Sequence, residues 1–262
     1  MARTIVPSEL LQSTNNNIKI GDTALDSVDT TSPDTAADNV AIGNAALTAN
    51  LFGNRNIAIG SNALDANTTA SHNIGIGHNA LTANSTGTEN VGIGQDALAA
   101  NTADDNTGVG FQALETNSTG AENTAFGHNA LQANTTASNN VAVGSGAADA
   151  NTTGAQNTAV GQGAFTTNTT GSHNTAIGRS ALLNADGADY NTAVGSGAMD
   201  TTSTGAQNVA VGYKAMDTNT TGGSNVAIGY QALDANTTAG NNVAVGHSAL
   251  GSNTTGSSAV AV

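Results

Sequence analysis

The chain has 262 residues, of which only 3% are aromatic and 9% charged, with 32 glycines and no cysteine. Its formal net charge of −14 disfavours nucleic-acid binding, because the 5 basic residues are too few to replace many phosphate counterions. The lack of cysteine excludes disulfides and thiolate metal sites, and the low aromatic content leaves little material for an ordinary globular core.

The first residues form a leader with a small apolar element, Ile5-Val6 and Leu10-Leu11. No apolar run here is long enough for a secretory signal, and no later stretch predicts a membrane span. We therefore expect neither an export signal nor membrane insertion. Residues 17–25 are a diverged copy of the repeat described next, and a longer connection follows them. Residues 1–38 are predicted to be an amino-terminal docking or capping segment.

From residue 39 onward the chain consists of copies of one sequence motif, typified by Asn-Val-Ala-Ile-Gly-Tyr-Gln-Ala-Leu-Asp-Ala-Asn-Thr-Thr-Ala-Gly-Asn at 225–241. Every step is 17 residues except one of 16 residues, between the copies that begin at Asn90 and Asn106. A fixed period of this length predicts a solenoid, in which each repeat is one coil that buries a core only by stacking on its neighbours. The thirteen copies begin at Asn39, Asn56, Asn73, Asn90, Asn106, Asn123, Asn140, Asn157, Asn174, Asn191, Asn208, Asn225 and Asn242.

Several positions, counted from the leading asparagine as position 1, are nearly fixed. Position 3 is Ala or Gly, position 4 is Ile or Val except at Phe126, position 9 is mostly Leu, and position 12 is mostly Asn. Positions 1, 5 and 8 are Asn, Gly and Ala in every copy, for example Asn39, Gly43, Ala46, Asn140, Gly144, Ala147, Asn225, Gly229 and Ala232. We predict that the asparagines at positions 1 and 12 are structural and form columns of side-chain amides between coils.

Each coil is predicted to contain a short strand at positions 2 to 4, with positions 2 and 4 on one face and the small residue at position 3 on the other. The glycine at position 5 fits a corner that needs a positive φ. Asn-Thr-Thr-Gly at positions 12 to 15 is predicted to be a turn, in which the glycine again supplies a positive φ. The predicted fold is therefore all-β: a parallel β-roll or β-solenoid rod spanning 39–262.

Asn-Val-Ala-Ile-Gly-x-x-Ala resembles the YadA-like head repeats of trimeric autotransporter adhesins, and the form with Asn-Thr-Thr-Gly is similar to repeats of bacteriophage fibre proteins. The resemblance implies an intertwined or side-by-side homotrimer with apolar side chains shared at the axis. It also implies a non-enzymatic, structural and adhesive function. The expected location is the virion, with contacts to other virion or surface proteins through the amino-terminal segment and to a host-surface glycan. Since the autotransporter family needs an export signal, a coiled-coil stalk and a membrane anchor, the phage interpretation is preferred.

Two alternatives remain open. The first is a bacterial surface adhesin or extracellular filament subunit, which would use the same architecture. The second is an ice-binding solenoid, because Thr-Thr at positions 13 and 14 would stack into columns. Adjacent threonines beside Gly or Ala are more typical of a turn, since two neighbouring strand residues point to opposite faces.

The sequence offers few candidates for catalysis or metal binding, so we predict no enzyme activity, no cofactor and no metal. The five histidines are expected to be solvated, as are the aspartates that recur at position 10. Formal glycosylation sequons, such as those at Asn67, Asn151 and Asn236, are interpreted as turns. Position 6 varies most and carries the residues most suited to surface recognition, which are Phe111, Arg179, Tyr213 and Tyr230. The alternative is that they fill grooves between chains, because interfaces favour Tyr and Arg.

Overall fold

A computed structural model describes residues 15–27 and 36–262 and confirms the parallel β-solenoid. The chain forms two compact units, Met1–Glu122 and Asn123–Val262. The strands of the first unit are β1 (Ile18–Ile20), β2 (Val40–Ile42), β3 (Ile57–Ile59), β4 (Ile74–Ile76), β5 (Val91–Ile93) and β6 (Thr107–Val109). Those of the second are β7 (Thr124–Phe126), β8 (Val141–Val143), β9 (Thr158–Val160), β10 (Thr175–Ile177), β11 (Thr192–Val194), β12 (Val209–Val211), β13 (Val226–Ile228), β14 (Val243–Val245) and β15 (Val260–Ala261).

Part of the predicted docking or capping segment, residues 1–14 and 28–35, lies outside the described residues, and its role remains a prediction. The diverged copy is described and is part of the stack: Ile18 is paired with Val40 in a parallel register.

No helix within 15–27 or 36–262 has the length and apolarity that crossing a bilayer requires.

Each coil contributes one strand, at positions 2 to 4, and neighbouring strands within a unit pair in parallel. The register matches like with like: Val40 is opposite Ile57 in the first unit, and Val226 is opposite Val243 in the second. Positions 5 to 11 form turns, so the Ala-Leu pair at positions 8 and 9 belongs to no second strand. Equivalent side chains of successive coils therefore lie directly above one another.

The interior of each unit is filled by the small residue of the strand and by positions 8 and 9. Ala58, Ala63 and Leu64 are fully buried in one coil, and the pattern recurs in the other regular coils of both units except the last, where Ala249 and Leu250 are half-buried. A Cβ added at Gly75, which replaces the strand alanine in the next coil, would lie 3.2 Å from Leu64 Cγ. The leucine of one coil thus packs against the strand of the next. Positions 2 and 4 point the other way, outward, and are only half-buried.

The corner after each strand depends on the glycine at position 5. Gly212 has a φ of 138°, and a Cβ placed there would come within 2.4 Å of the Gly229 carbonyl oxygen in the next coil. Both the dihedral angle and the close approach exclude a side chain. The representative glycines Gly43, Gly144 and Gly229 have φ values of 135°, 133° and 135°.

The expectation of a positive φ for glycine at position 15 is wrong. Gly222 is absent from the residues with positive φ, and a Cβ there would lie 2.4 Å from the Ala239 carbonyl oxygen, so a side chain at this residue would require the neighbouring backbone to shift. Alanine occupies this position in other copies, Ala239 among them, so the site needs a small residue and no special dihedral angle. The positive φ values lie instead at positions 5, 7, 9 and 17, as in the coil that contains Gly43, Ala45, Leu47 and Arg55.

Two columns of buried asparagines connect the coils. At position 1, the backbone N–H of Asn56 donates to Asn39 Oδ1 at 2.8 Å, and this bond recurs from coil to coil. At position 12, Asn67 Nδ2 donates to Asn50 Oδ1 at 2.8 Å. Asn50 also closes its own turn, because its side chain both donates to the Gly53 carbonyl and accepts from the Gly53 N–H. Burial without water makes each such bond costly to lose.

The 16-residue copy keeps its place in the stack. Asn106 N still donates to Asn90 Oδ1 at 2.9 Å, as in a coil of ordinary length. The side chains of Asn90 and Asn101 both donate to the Ala103 carbonyl, at 2.8 Å each. The missing residue is therefore absorbed within the turn at 102–105, as expected for a loop.

Candidate functional site

The outward side chains at positions 2 and 4 form a surface on each unit, here called the strand face. It consists almost entirely of Val, Ile and Thr, and several of its members are well exposed, among them Ile177, Val211 and Ile228 at 37–40%. The residues between them at position 3 are buried in the solenoid interior. Most members of the strand face are half-buried and the rest are exposed, and the majority are the apolar residues Val and Ile. A long row of outward apolar side chains is typical of a surface that is covered in an assembly.

A second surface feature lies in the second unit, at position 6 of three consecutive coils. Tyr213, Tyr230 and His247 form a stack, here called the aromatic ladder. The ring centroids are 5.4 Å apart between the tyrosines and 4.9 Å apart between Tyr230 and His247, with interplanar angles of 21° and 8°. All three side chains are exposed. The coil spacing of about 4.8 Å is therefore also the spacing at which the rings stack.

The sequence-predicted surface residues are partly brought together. Tyr213 and Tyr230 stack, whereas Phe111 is exposed in the other unit. Arg179 is exposed two coils before Tyr213 in the same column, with Ser196 between them. The column continues through this point, because Gly197 N donates to Arg179 O at 3.0 Å and the amide of the residue after Tyr213 donates to Ser196 O at 3.1 Å. A recognition role for these residues remains a prediction.

Three carboxylates run beside the aromatic ladder at position 10: Asp200, Asp217 and Asp234. Lys214 forms an ion pair with Asp217, with Nζ 2.8 Å from Oδ2. Burial, followed by the charge of Asp217, raises the pKa of both Asp200 and Asp234. The charge of Lys214 acts in the opposite direction on both pKa values, and Arg179 does so on Asp200. This part of the surface therefore carries three carboxylates and two cationic side chains, those of Lys214 and Arg179.

These pKa shifts predict a pH dependence of stability. A carboxyl group whose folded-state pKa lies above its unfolded value of 3.8 stabilises the fold when protonated. The contribution of Asp200 and Asp234 is complete below 3.8 and is lost as the pH rises through their raised folded-state pKa values. Asp217→Asn is expected to lower both pKa values, because it removes a negative neighbour and frees Lys214.

Carboxyl ¹³C titration by NMR measures this effect. Asp149 is the matched control: burial raises its pKa as well, but Asp217 contributes nothing to that shift. Unchanged titration of Asp200 and Asp234 in Asp217→Asn, or an equal change at Asp149, would contradict the assignment.

Among the described residues, no three His, Cys, Asp or Glu side chains converge on a possible metal site. His78, His128 and His247 are exposed, as the sequence predicted for solvated side chains. The asparagines of the sequons, Asn67, Asn151 and Asn236, are fully buried, and each Nδ2 donates to the carbonyl three residues later, which supports their interpretation as turns.

The threonine columns contribute to the stacking of the coils. At position 13, Thr135 Oγ1 donates to Thr152 O at 3.1 Å, and Thr152 Oγ1 donates to Thr169 O at 2.8 Å. The proton of such a hydroxyl is engaged by the neighbouring coil, so the hydroxyl can accept a hydrogen bond from water but cannot donate one. Only position 14 remains as an outward threonine column.

Sequence reasoning did not single out position 17. His173 and Tyr190 stack there in consecutive coils, with centroids 4.7 Å apart and planes 4° apart. In the first unit, Arg55 Nη1 and His72 Nε2, also at position 17, are 3.2 Å apart. Counting planar side chains at every repeat position, and not only at position 6, would have found both pairs.

Comparisons with known proteins add no family assignment: no family model, curated protein or solved structure matches this chain.

Proposed function

We propose that this chain is a non-enzymatic structural and adhesive fibre protein that assembles as a homotrimer through its strand face. The outward row at positions 2 and 4, which consists mostly of Val and Ile and is half-buried to exposed, carries the proposal, because it lies outside an interior that is already filled. Burial of apolar surface stabilises an assembly by about 25 cal/mol per Å². Many adjacent coils each contribute a small apolar area, so the total is favourable although each step is small.

The partner proposed for the strand face is another copy of this chain. In the second unit, Val211 and Ile228 lie side by side on β12 and β13, and in the first unit Ile42 and Ile59 do so on β2 and β3. A row of evenly spaced side chains is matched best by a row of the same spacing, which an identical chain provides. Three copies are proposed because the repeats resemble those of trimeric fibres.

The proposed setting is a bacteriophage virion, in which the fibre contacts the host surface. Support comes from the resemblance of the Asn-Thr-Thr-Gly form of the repeat to phage fibre repeats. The alternative is a bacterial surface adhesin or an extracellular filament subunit. Ice binding is the weakest alternative, because the hydroxyls at position 13 are engaged by the neighbouring coils.

The native mass in solution tests the proposal. Size-exclusion chromatography with light scattering is expected to give a particle of about three times the chain mass of 25.5 kDa. A monomer would overturn the shared strand face. A polymer series would overturn the discrete trimer and favour the filament subunit.

A further inference from the structure

The column of side chains at position 6 has a gap beside the aromatic ladder. Arg179 and Tyr213 are separated by one coil, whose position-6 residue is the small Ser196. Two coil steps correspond to about 9.6 Å at the usual strand spacing. Within the ladder, one step separates ring centroids by 5.4 Å or 4.9 Å. The gap is therefore as tall as one ring, and we call it the Ser196 notch. Arg179, Ser196 and Tyr213 bound it along the column, and Asp200 belongs to the same coil as Ser196.

One wall of the Ser196 notch is the face of an aromatic ring. Tyr230 has Tyr213 on one side and His247 on the other, so both of its faces are covered. Tyr213 stacks on Tyr230 with one face only, and its other face is directed towards the coil of Ser196. The ladder thus ends at Tyr213 with a ring face available for stacking.

The remaining walls are polar. Asp200 follows Ser196 by four residues in the same coil and is half-buried. Lys214 is held by Asp217 at 2.8 Å, whereas Arg179 is exposed. The notch therefore offers an apolar ring face together with a carboxylate acceptor, guanidinium donors and a serine hydroxyl. Aromatic faces combined with a few directed polar groups are typical of small-ligand sites.

We infer that the Ser196 notch binds a single uncharged pyranose ring of a glycan, stacked on Tyr213 and hydrogen-bonded through its hydroxyls to Asp200 and Arg179. A pyranose has an apolar C–H face and a rim of hydroxyls, which match the ring wall and the polar walls. The carboxylates of Asp200, Asp217 and Asp234 repel anionic sugars and nucleotides. This inference rests on the proposed adhesive function and gives it a binding site.

The test uses the full-length protein and a panel of methyl pyranosides of glucose, galactose, mannose and N-acetylglucosamine. Saturation-transfer NMR is expected to detect binding of at least one of them to the wild-type protein. Ser196→Tyr fills the notch with a further ring of the ladder and is expected to weaken that binding at least tenfold. Ser145→Tyr is the matched control: Ser145 lies in the same Gly-Ser-Gly-Ala context, with Asp149 at position 10, but between His128 and Gln162. It should bind as the wild-type protein does.

Three results would overturn the inference: no transfer to any of the four pyranosides, equal binding by Ser196→Tyr and Ser145→Tyr, or stronger binding of methyl glucuronide or adenosine than of the neutral sugars. Native mass, measured on the same samples, separates this inference from the proposed function. A trimer that binds no pyranoside retains the fibre proposal and removes the notch, whereas a monomer that binds removes the trimer and retains the notch.

Discussion

Asn208→Leu is expected to lower the free energy of unfolding of the second unit by about 4 kcal/mol, because several buried polar groups lose their partners at once. Asn208 Oδ1 accepts from the backbone N–H of Asn225 at 2.9 Å and from Asn225 Nδ2 at 3.2 Å. Its Nδ2 donates to Gly222 O at 2.9 Å and to Asn191 Oδ1 at 3.2 Å. Leucine is similar in size but replaces none of these bonds.

Urea unfolding followed by circular dichroism, at fixed protein concentration, measures the change. The amide of Asn225 is also expected to lose its protection from hydrogen exchange, since its acceptor is removed. Thr221→Leu is the control, because this exposed residue of the same coil receives the same new side chain. If the two variants unfold within about 1 kcal/mol of each other, buried amide bonding is not what stabilises the coil.

The double variant Val211→Lys/Ile228→Lys is expected to be a folded monomer. Both side chains are outward members of the strand face, on adjacent strands, so the solenoid interior is left unchanged. In a trimer the substitutions would place six ammonium groups against apolar side chains. Leaving even one buried charge unpaired costs about 3–5 kcal/mol. Association is therefore expected to weaken by more than about 100-fold.

Light scattering gives the mass of the double variant, and circular dichroism shows whether its fold is retained. Thr204→Lys/Thr221→Lys adds the same charges at exposed positions in the turns of two adjacent coils, and it is expected to remain a trimer. A double variant at the strand face that stays trimeric would show that the copies associate through another surface.

The sequence was sufficient to predict the period, the strand in each coil and the glycine corner, because only one or two residue types fit the repeat positions that form them. It did not predict the backbone of the leucine position. Leu64 has a φ of 52°, which isolated leucine avoids. The stack imposes this conformation, since Leu64 N donates to Ala80 O in the next coil at 3.0 Å and the side chain is fully buried. Such contacts between coils have no signal in local propensity.

In the candidate site, too, the sequence predicts which residues are neighbours but not how their side chains are oriented. That Tyr213 and Tyr230 lie close together follows from counting, because they occupy one repeat position in consecutive coils. The same counting places His247 after Tyr230 and the small Ser196 before Tyr213. That the three rings lie nearly parallel and in stacking contact depends on side-chain orientation, which the sequence does not report. The glycine at position 15 was misjudged because close approach and positive φ favour the same residue, and only the backbone distinguishes them.

The shortened copy shows where the length of a coil can change without disturbing the stack. The turn at 102–105 is one residue shorter than in the other copies, yet the bond between Asn106 and Asn90 is kept, so the turn is insulated from the rest of the coil. A loss or gain within the strand would instead shift the inward and outward side chains. Insertions and deletions that survive selection are therefore expected to collect in this turn, where a coil can acquire a new loop while its neighbours keep their alignment.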